Sequence, residues 1–71
     1  MAENDRDKLG ALIGYLIDHN RDHADELREL LEKYRDVAGE NTVRLVSDAA
    51  ELMARSADSL SLALVDIKTN K

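Results

Sequence analysis

The sequence contains no cysteine, proline, tryptophan or phenylalanine, and it has only three glycines. Without cysteine, neither a disulfide framework nor a cysteine-ligated zinc site can form. Without proline and with few glycines, little in the sequence interrupts a long helix. A chain of 71 residues buries only a small core, so we expect a second copy or a metal to contribute to its stability.

Aromatic residues and positive charge are also scarce. Among Phe, Trp and Tyr, the chain has only two tyrosines, and its net charge is −5. It therefore lacks the basic surface and the aromatic stacking surface typical of nucleic-acid-binding proteins. The main apolar run, residues 9–17, is about half the ~20 residues that a membrane-spanning helix needs. Mixed charges precede it, unlike in a signal peptide. We predict no nucleic-acid partner, no membrane association and a cytoplasmic location.

The abundant residue types are helix formers, which predicts an all-α protein. A first helix is predicted over about residues 5–38, because Gly39 suits the left-handed position that follows a helix. A loop at 39–42 follows, with Asn41 or Thr42 as the cap of a second helix over about 42–67. So short a loop makes the two helices antiparallel. Residues 1–71 are therefore predicted to form a single helical-hairpin domain.

Apolar residues recur at alternating spacings of three and four, which is typical of helices that pack along one side. The predicted packing seam of the first helix is Leu9, Ile13, Leu16, Leu27, Leu30, Tyr34 and Val37. That of the second is Val43, Val46, Ala50, Met53, Ala57, Leu60, Leu64 and Ile67. A lone hairpin would leave further apolar residues in water, namely Leu12, Ile17, Ala24, Leu31, Ala38, Leu45, Ala49, Leu52 and Ala63. We therefore predict a homodimer that forms a four-helix bundle with twofold symmetry.

The seam of the first helix is interrupted at its middle by the only two histidines of the chain. Continued through this stretch, the spacing reaches Asn20 and His23, and His19 lies one turn before His23. Glu26 follows on the same side, which completes a His-x3-His-x2-Glu pattern. Two imidazoles at this spacing can bind one ion from a single helix. If two copies of the first helix pack antiparallel around residue 21, four imidazoles converge.

The predicted metal ligands are His19, His23 and Glu26. Imidazole with carboxylate suits Zn²⁺, Ni²⁺, Co²⁺ or Cu²⁺, whereas Ca²⁺ and Mg²⁺ prefer oxygen ligands alone. The chain would then be a small metal-binding accessory protein. The alternative is a structural or protein-interaction module, because a polar layer in a helical seam, an asparagine above all, can serve only to fix register and oligomeric state. Both interpretations remain open on the sequence.

Catalytic chemistry is not indicated. The sequence offers no convincing Ser-His-Asp arrangement, no glycine-rich phosphate loop and no repeated Glu-x-x-His motif of the kind that builds di-iron bundles. We therefore predict that the protein is not an enzyme.

Residues 12–26 also resemble a family of short, largely uncharacterised prokaryotic two-helix proteins. The first helix of that family carries a His-Asn-x-x-His-Ala-x-Glu signature, and the matching positions here are His19, Asn20, His23 and Glu26. The resemblance implies an accessory or chaperone role in metal handling, with nickel among the metals concerned.

Overall fold

The computed structural model describes residues 3–69, and over that range it consists of two α-helices. Helix α1 spans Glu3–Ala38 and helix α2 spans Glu40–Thr69. The two helices pack side by side along their length, and the Cα atoms extend over 52 × 14 × 13 Å. The predicted all-α helical hairpin is confirmed.

The connection between the helices is Gly39 alone, so it is shorter than the predicted loop at 39–42. Gly39 has φ 84°, a left-handed conformation in which glycine avoids the Cβ penalty of other residues. The amide of Val43 donates a hydrogen bond to the carbonyl of Gly39 at 3.0 Å, which closes the first turn of α2. Asn41 and Thr42 therefore lie inside α2 rather than before it. One left-handed residue is enough to separate the two helices.

Alanines make up three of the five residues that are buried between α1 and α2. The buried residues are Ile17, Ala24, Leu31, Ala50 and Ala57. Ala24 and Ala57 are only 1% and 0% exposed, which means that each lies completely under the opposite helix. Alanine at such positions lets the two helix backbones approach closely. The core of one hairpin is accordingly thin.

The structure confirms the predicted seam of α2, whose members are all buried or half-buried. The predicted seam of α1 is wrong in part. Leu9, Leu16, Leu30 and Val37 are 40% to 84% exposed. Ile13 and Leu27 of the predicted seam are half-buried, as is Asn20, which its spacing reaches. The other residues that pack against α2 are Gly10, Ile17, Ala24 and Leu31. The physical reason is that α1 is apolar over a broad sector, and periodicity gives the mean direction of that sector rather than the part that faces α2.

Helix α1 is also not continuous to its end. Tyr34 departs from helical geometry, with φ −114° and ψ 17°, and the last turn before Gly39 follows this kink. The ammonium of Lys33 lies 5.4 Å from the centre of the Tyr34 ring, within the range of a cation–π interaction. The predicted uninterrupted first helix therefore bends near the turn, away from the histidines.

Ion pairs lie on the outer surface of the hairpin. Arg28 pairs with Asp25 at 3.8 Å in α1, and Arg55 pairs with Glu51 at 3.1 Å in α2. All four side chains are more than half exposed, so each pair stabilises the fold by only roughly a few tenths of a kcal/mol.

Within residues 3–69, no helix is both long enough and apolar enough to cross a bilayer.

Replacing Gly14 by alanine should stabilise the protein. A Cβ added at Gly14 meets nothing within 4 Å, so the substitution brings no clash, and alanine is about 1 kcal/mol better than glycine inside a helix. Urea unfolding followed by circular dichroism should show a higher midpoint with an unchanged slope. A lower midpoint would mean that another molecule covers this position in solution.

Candidate functional site

His19 and His23 lie one turn apart on the flank of α1. Their ring centroids are 4.4 Å apart and their planes are tilted by 58°. His19 is exposed and His23 is half-buried. Tyr15, a further turn towards the start of α1, stacks on His19 with a centroid distance of 5.5 Å and an interplanar angle of 19°. The three rings form a ladder along one side of the helix.

Tyr15 was not among the predicted site residues. It lies four positions before His19, and this is the same spacing that places the two histidines together. That spacing alone was therefore sufficient to find it.

Asn20 turns towards α2 rather than towards the histidines. Its Nδ2 donates a hydrogen bond to Oγ of Ser56 at 3.0 Å, and Asn20 itself is half-buried. Among the residues whose burial is described, no polar or charged one is buried. Asn20 and His23 therefore lie at the edge of the contact between the helices, not inside it as the seam predicted.

Glu26 is exposed, one turn beyond His23. Across residues 3–69, no three or more His, Asp or Glu side chains are grouped so that they could hold a metal ion. A single chain thus brings together the two imidazoles of the predicted site but not its carboxylate. A full coordination shell requires ligands from outside one hairpin.

The flank that carries the histidines also carries the apolar residues that α1 leaves exposed. At about 100° per residue, one line of positions along α1 contains Leu12, Leu16, His19, His23, Glu26, Leu30, Tyr34 and Val37. We call this line the α1 stripe. Its leucines, tyrosine and valine are 42% to 84% exposed. The histidines occupy the middle of the stripe, with large apolar side chains towards both ends.

Helix α2 carries a second line of exposed or half-buried positions at the same alternating spacing. This α2 stripe contains Leu45, Ala49, Leu52, Ser56, Ser59 and Ala63. Leu45 and Leu52 are 55% and 64% exposed. Like the α1 stripe, it is apolar towards its ends and polar at its centre.

Contacts between the helices show that both stripes lie on the same side of the hairpin. Asn20 reaches Ser56, a member of the α2 stripe, at 3.0 Å. Its neighbour Arg21 instead reaches Ser61 at 3.4 Å and Asp58 at 3.7 Å, which lie on the other side of α2. The two stripes together form one surface, which we call the apolar face. Its centre is polar and contains both histidines.

The fold and this site define a class of protein: an antiparallel two-helix hairpin with one apolar face and a pair of histidines at the centre of that face. The chain belongs to the family described as Domain of unknown function (DUF8180), whose model matches residues 9–67. The match covers both helices and the histidine stretch. No curated protein and no solved structure matches the chain. Metal handling, which the resemblance of residues 12–26 implied, stays a prediction.

Proposed function

We propose that the protein is a homodimeric metal-binding accessory protein. His19 and His23 of both copies would be its ligands, with Glu26 as a further one, at the core of the dimer. The observation that carries the proposal is the pair of imidazole rings, 4.4 Å apart, at the middle of an exposed apolar stripe. Each copy supplies two nitrogen ligands, so a dimer supplies the four of a tetrahedral set, and Glu26 would replace one of them or add a fifth ligand.

The donor set selects the class of metal. Imidazole nitrogen binds Zn²⁺, Ni²⁺, Co²⁺ and Cu²⁺ well, and one carboxylate does not change that preference. The residues around the histidines include the polar Asn20 and Ser56 as well as apolar side chains, and none is an activated nucleophile. A role in holding or passing on a metal fits this surrounding better than a reaction does.

A structural or protein-interaction module is the second candidate, and the Asn20–Ser56 hydrogen bond favours it. At 3.0 Å between Nδ2 and Oγ, this bond ties α1 to α2 in one register without any ligand. In this alternative, the histidines meet the second copy only as a polar layer. Metal binding separates the two candidates.

Adding Zn²⁺, Ni²⁺, Co²⁺ or Cu²⁺ singly at pH 7.5 should reveal the metal. For the cognate ion, we expect one metal per dimer by native mass spectrometry and a raised melting temperature, since ligand at 100 times its Kd stabilises the folded state by about 2.7 kcal/mol. The stabilisation should weaken as the pH is lowered from about 7.5 to about 5.5, because a protonated imidazole cannot bind a metal. If none of the four ions moves the melting temperature, the interaction module is the better description.

The variants for this experiment follow from the geometry. His23→Ala should abolish the metal-dependent rise in melting temperature, and Glu26→Ala should reduce it. Asp25→Ala is the matched control, because Asp25 is an exposed carboxylate that pairs with Arg28 at 3.8 Å. Loss of the metal effect in Asp25→Ala as large as in His23→Ala would show that the ion binds elsewhere.

A further inference from the structure

We infer that a second copy of this chain covers the apolar face in one defined orientation. In this orientation, α1 lies antiparallel against α1 of the second copy, the twofold axis passes near residue 21, and the two Gly39 turns are at opposite ends of the dimer. The inference deepens the proposed function and rests on it for the existence of the dimer. Its test uses no metal.

The apolar face has the size that a stable interface requires. With Cα extents of 52 Å by 14 Å, its footprint is about 700 Å², close to the roughly 800 Å² per partner that stable complexes bury. Its leucines are Leu12, Leu16, Leu30, Leu45 and Leu52, each at least 42% exposed. A face of this size with exposed apolar side chains at both ends, on so small a protein, marks an interaction surface.

Two twofold arrangements can bring two such faces together. In the same-end arrangement, both Gly39 turns are at one end, and α1 lies over α2 of the second copy. In the opposite-end arrangement, the turns are at opposite ends, and α1 lies over α1. Each gives a four-helix bundle with antiparallel neighbours. The polar residues at the centre of the face distinguish between them.

The opposite-end arrangement pairs leucine with leucine and histidine with histidine at two levels of α1. Residues equally far from position 21 meet across the axis, so Leu12 lies opposite the second copy's Leu30. By the same rule, His19 lies opposite the second copy's His23, and four imidazoles come together. Since Asn20 is bonded to Ser56, the axis crosses α2 close to Ser56, and the two Ser56 side chains also meet.

In the opposite-end arrangement, Leu52 lies opposite Ser59 of the second copy. Glu26 lies opposite Leu16 of the second copy, which alone would be an unfavourable pair. It also lies within one turn of the second copy's His19, however. The exposed carboxylate can therefore turn towards the imidazoles and join them.

The same-end arrangement separates the histidines. Because Asn20 is level with Ser56, His23 would lie against Leu52 of the second copy and Leu16 against Ser59. His19 lies on the side of the α1 stripe that points away from α2, where it stacks with Tyr15 at 5.5 Å. The two His19 rings would then be on opposite outer edges of the bundle. The imidazoles of the two copies would not come together.

Cysteine cross-linking tests the orientation directly, because the chain has no native cysteine. Leu12 and Leu30 are 61% and 51% exposed, so Leu12→Cys and Leu30→Cys leave the hairpin core intact. The two variants are mixed, unfolded in urea, refolded together in EDTA and treated with a short bismaleimide. We expect the mixture to form covalent dimers at least ten times faster than either variant alone, because identical positions are about 27 Å apart in this orientation.

Three further mixtures make the result decisive. Leu16→Cys with Glu26→Cys should also cross-link and serves as a second pair if one of the first variants folds poorly by circular dichroism. Leu30→Cys with Leu62→Cys is the control and should not cross-link, since Leu62 is 73% exposed but lies off the apolar face. Cross-linking of Leu12→Cys with Ala63→Cys would show the same-end arrangement and overturn the inference.

Absence of cross-links in every mixture would also overturn the inference, because the face would then not be covered by a second copy. The outcome is distinguishable from failure of the proposed metal function. Cross-links in EDTA without any metal-dependent stabilisation would leave the orientation standing and refute the metal site. Metal-dependent stabilisation without these cross-links would refute the orientation alone.

Discussion

Replacing Ala57 by leucine should remove most of the stability of the hairpin. Ala57 is 0% exposed, so the added atoms have no space unless the two helices move apart. Overpacking of this kind costs about 3 kcal/mol at the upper end of its usual range. A core this small supplies only about 3–5 kcal/mol in total. Urea unfolding followed by circular dichroism should show the variant partly unfolded without denaturant.

The matched control is Ala11→Leu. Ala11 is exposed on α1, and alanine and leucine have similar helix propensities, so this variant should unfold within about 0.5 kcal/mol of the wild type. Comparing the two variants separates the effect of packing between the helices from the effect of helix propensity. Equal stability of the Ala57→Leu and Ala11→Leu variants would contradict a contact built on small side chains.

The two helices, the turn between them and the seam of α2 could all be predicted, because each depends on residues that are close together in the sequence. Gly39 marks the turn by its own conformational freedom, and it adopts φ 84°. The helices follow from composition and spacing. The predicted loop at 39–42 was too long. Asn41 and Thr42 suit both the cap before a helix and the first turn inside it, and the sequence does not distinguish these two positions.

The part of α1 that faces α2 could not be predicted from spacing. The predicted seam points between two directions: one contains Ile17 and Ala24 and faces α2, and the other contains Leu16 and Leu30 and faces outwards. In a four-helix bundle, the direction between two neighbouring helices points to the centre of the bundle. If a second copy covers the outward direction, as proposed, the predicted seam is the mean of two contacts, of which a single chain makes only one.

This correction changes the position of the candidate site. On the predicted seam, His23 would lie in the contact with α2 of the same chain, and His19 would lie beside that contact, one turn before it. In the structure they lie on the apolar face, with His19 exposed and His23 half-buried. The adjacency of the two rings was predictable from their spacing. The Asn20–Ser56 bond was not, because it depends on the relative position of two helices that only packing determines.

Replacing Leu52 by glutamate should dissociate the dimer. Leu52 is 64% exposed in one hairpin and belongs to the apolar face, so in the proposed dimer the substitution buries a carboxylate between the two copies. A loss of about 3 kcal/mol per dimer, which is modest for a buried charge that occurs twice, raises Kd roughly 100-fold. Sedimentation velocity over a range of micromolar concentrations should show the monomer where the wild type is dimeric.

Leu62→Glu is the matched control for this prediction. Leu62 lies on the same helix and is 73% exposed, but it points away from the apolar face, so its variant should keep the dimer. The Leu52→Glu variant should also lose the metal-dependent rise in melting temperature, although Leu52 is not a ligand, because a site shared between two copies cannot form in a monomer. A metal effect that survives in a monomeric Leu52→Glu variant would place the whole site within one chain, and a monomeric wild type would refute the four-helix bundle.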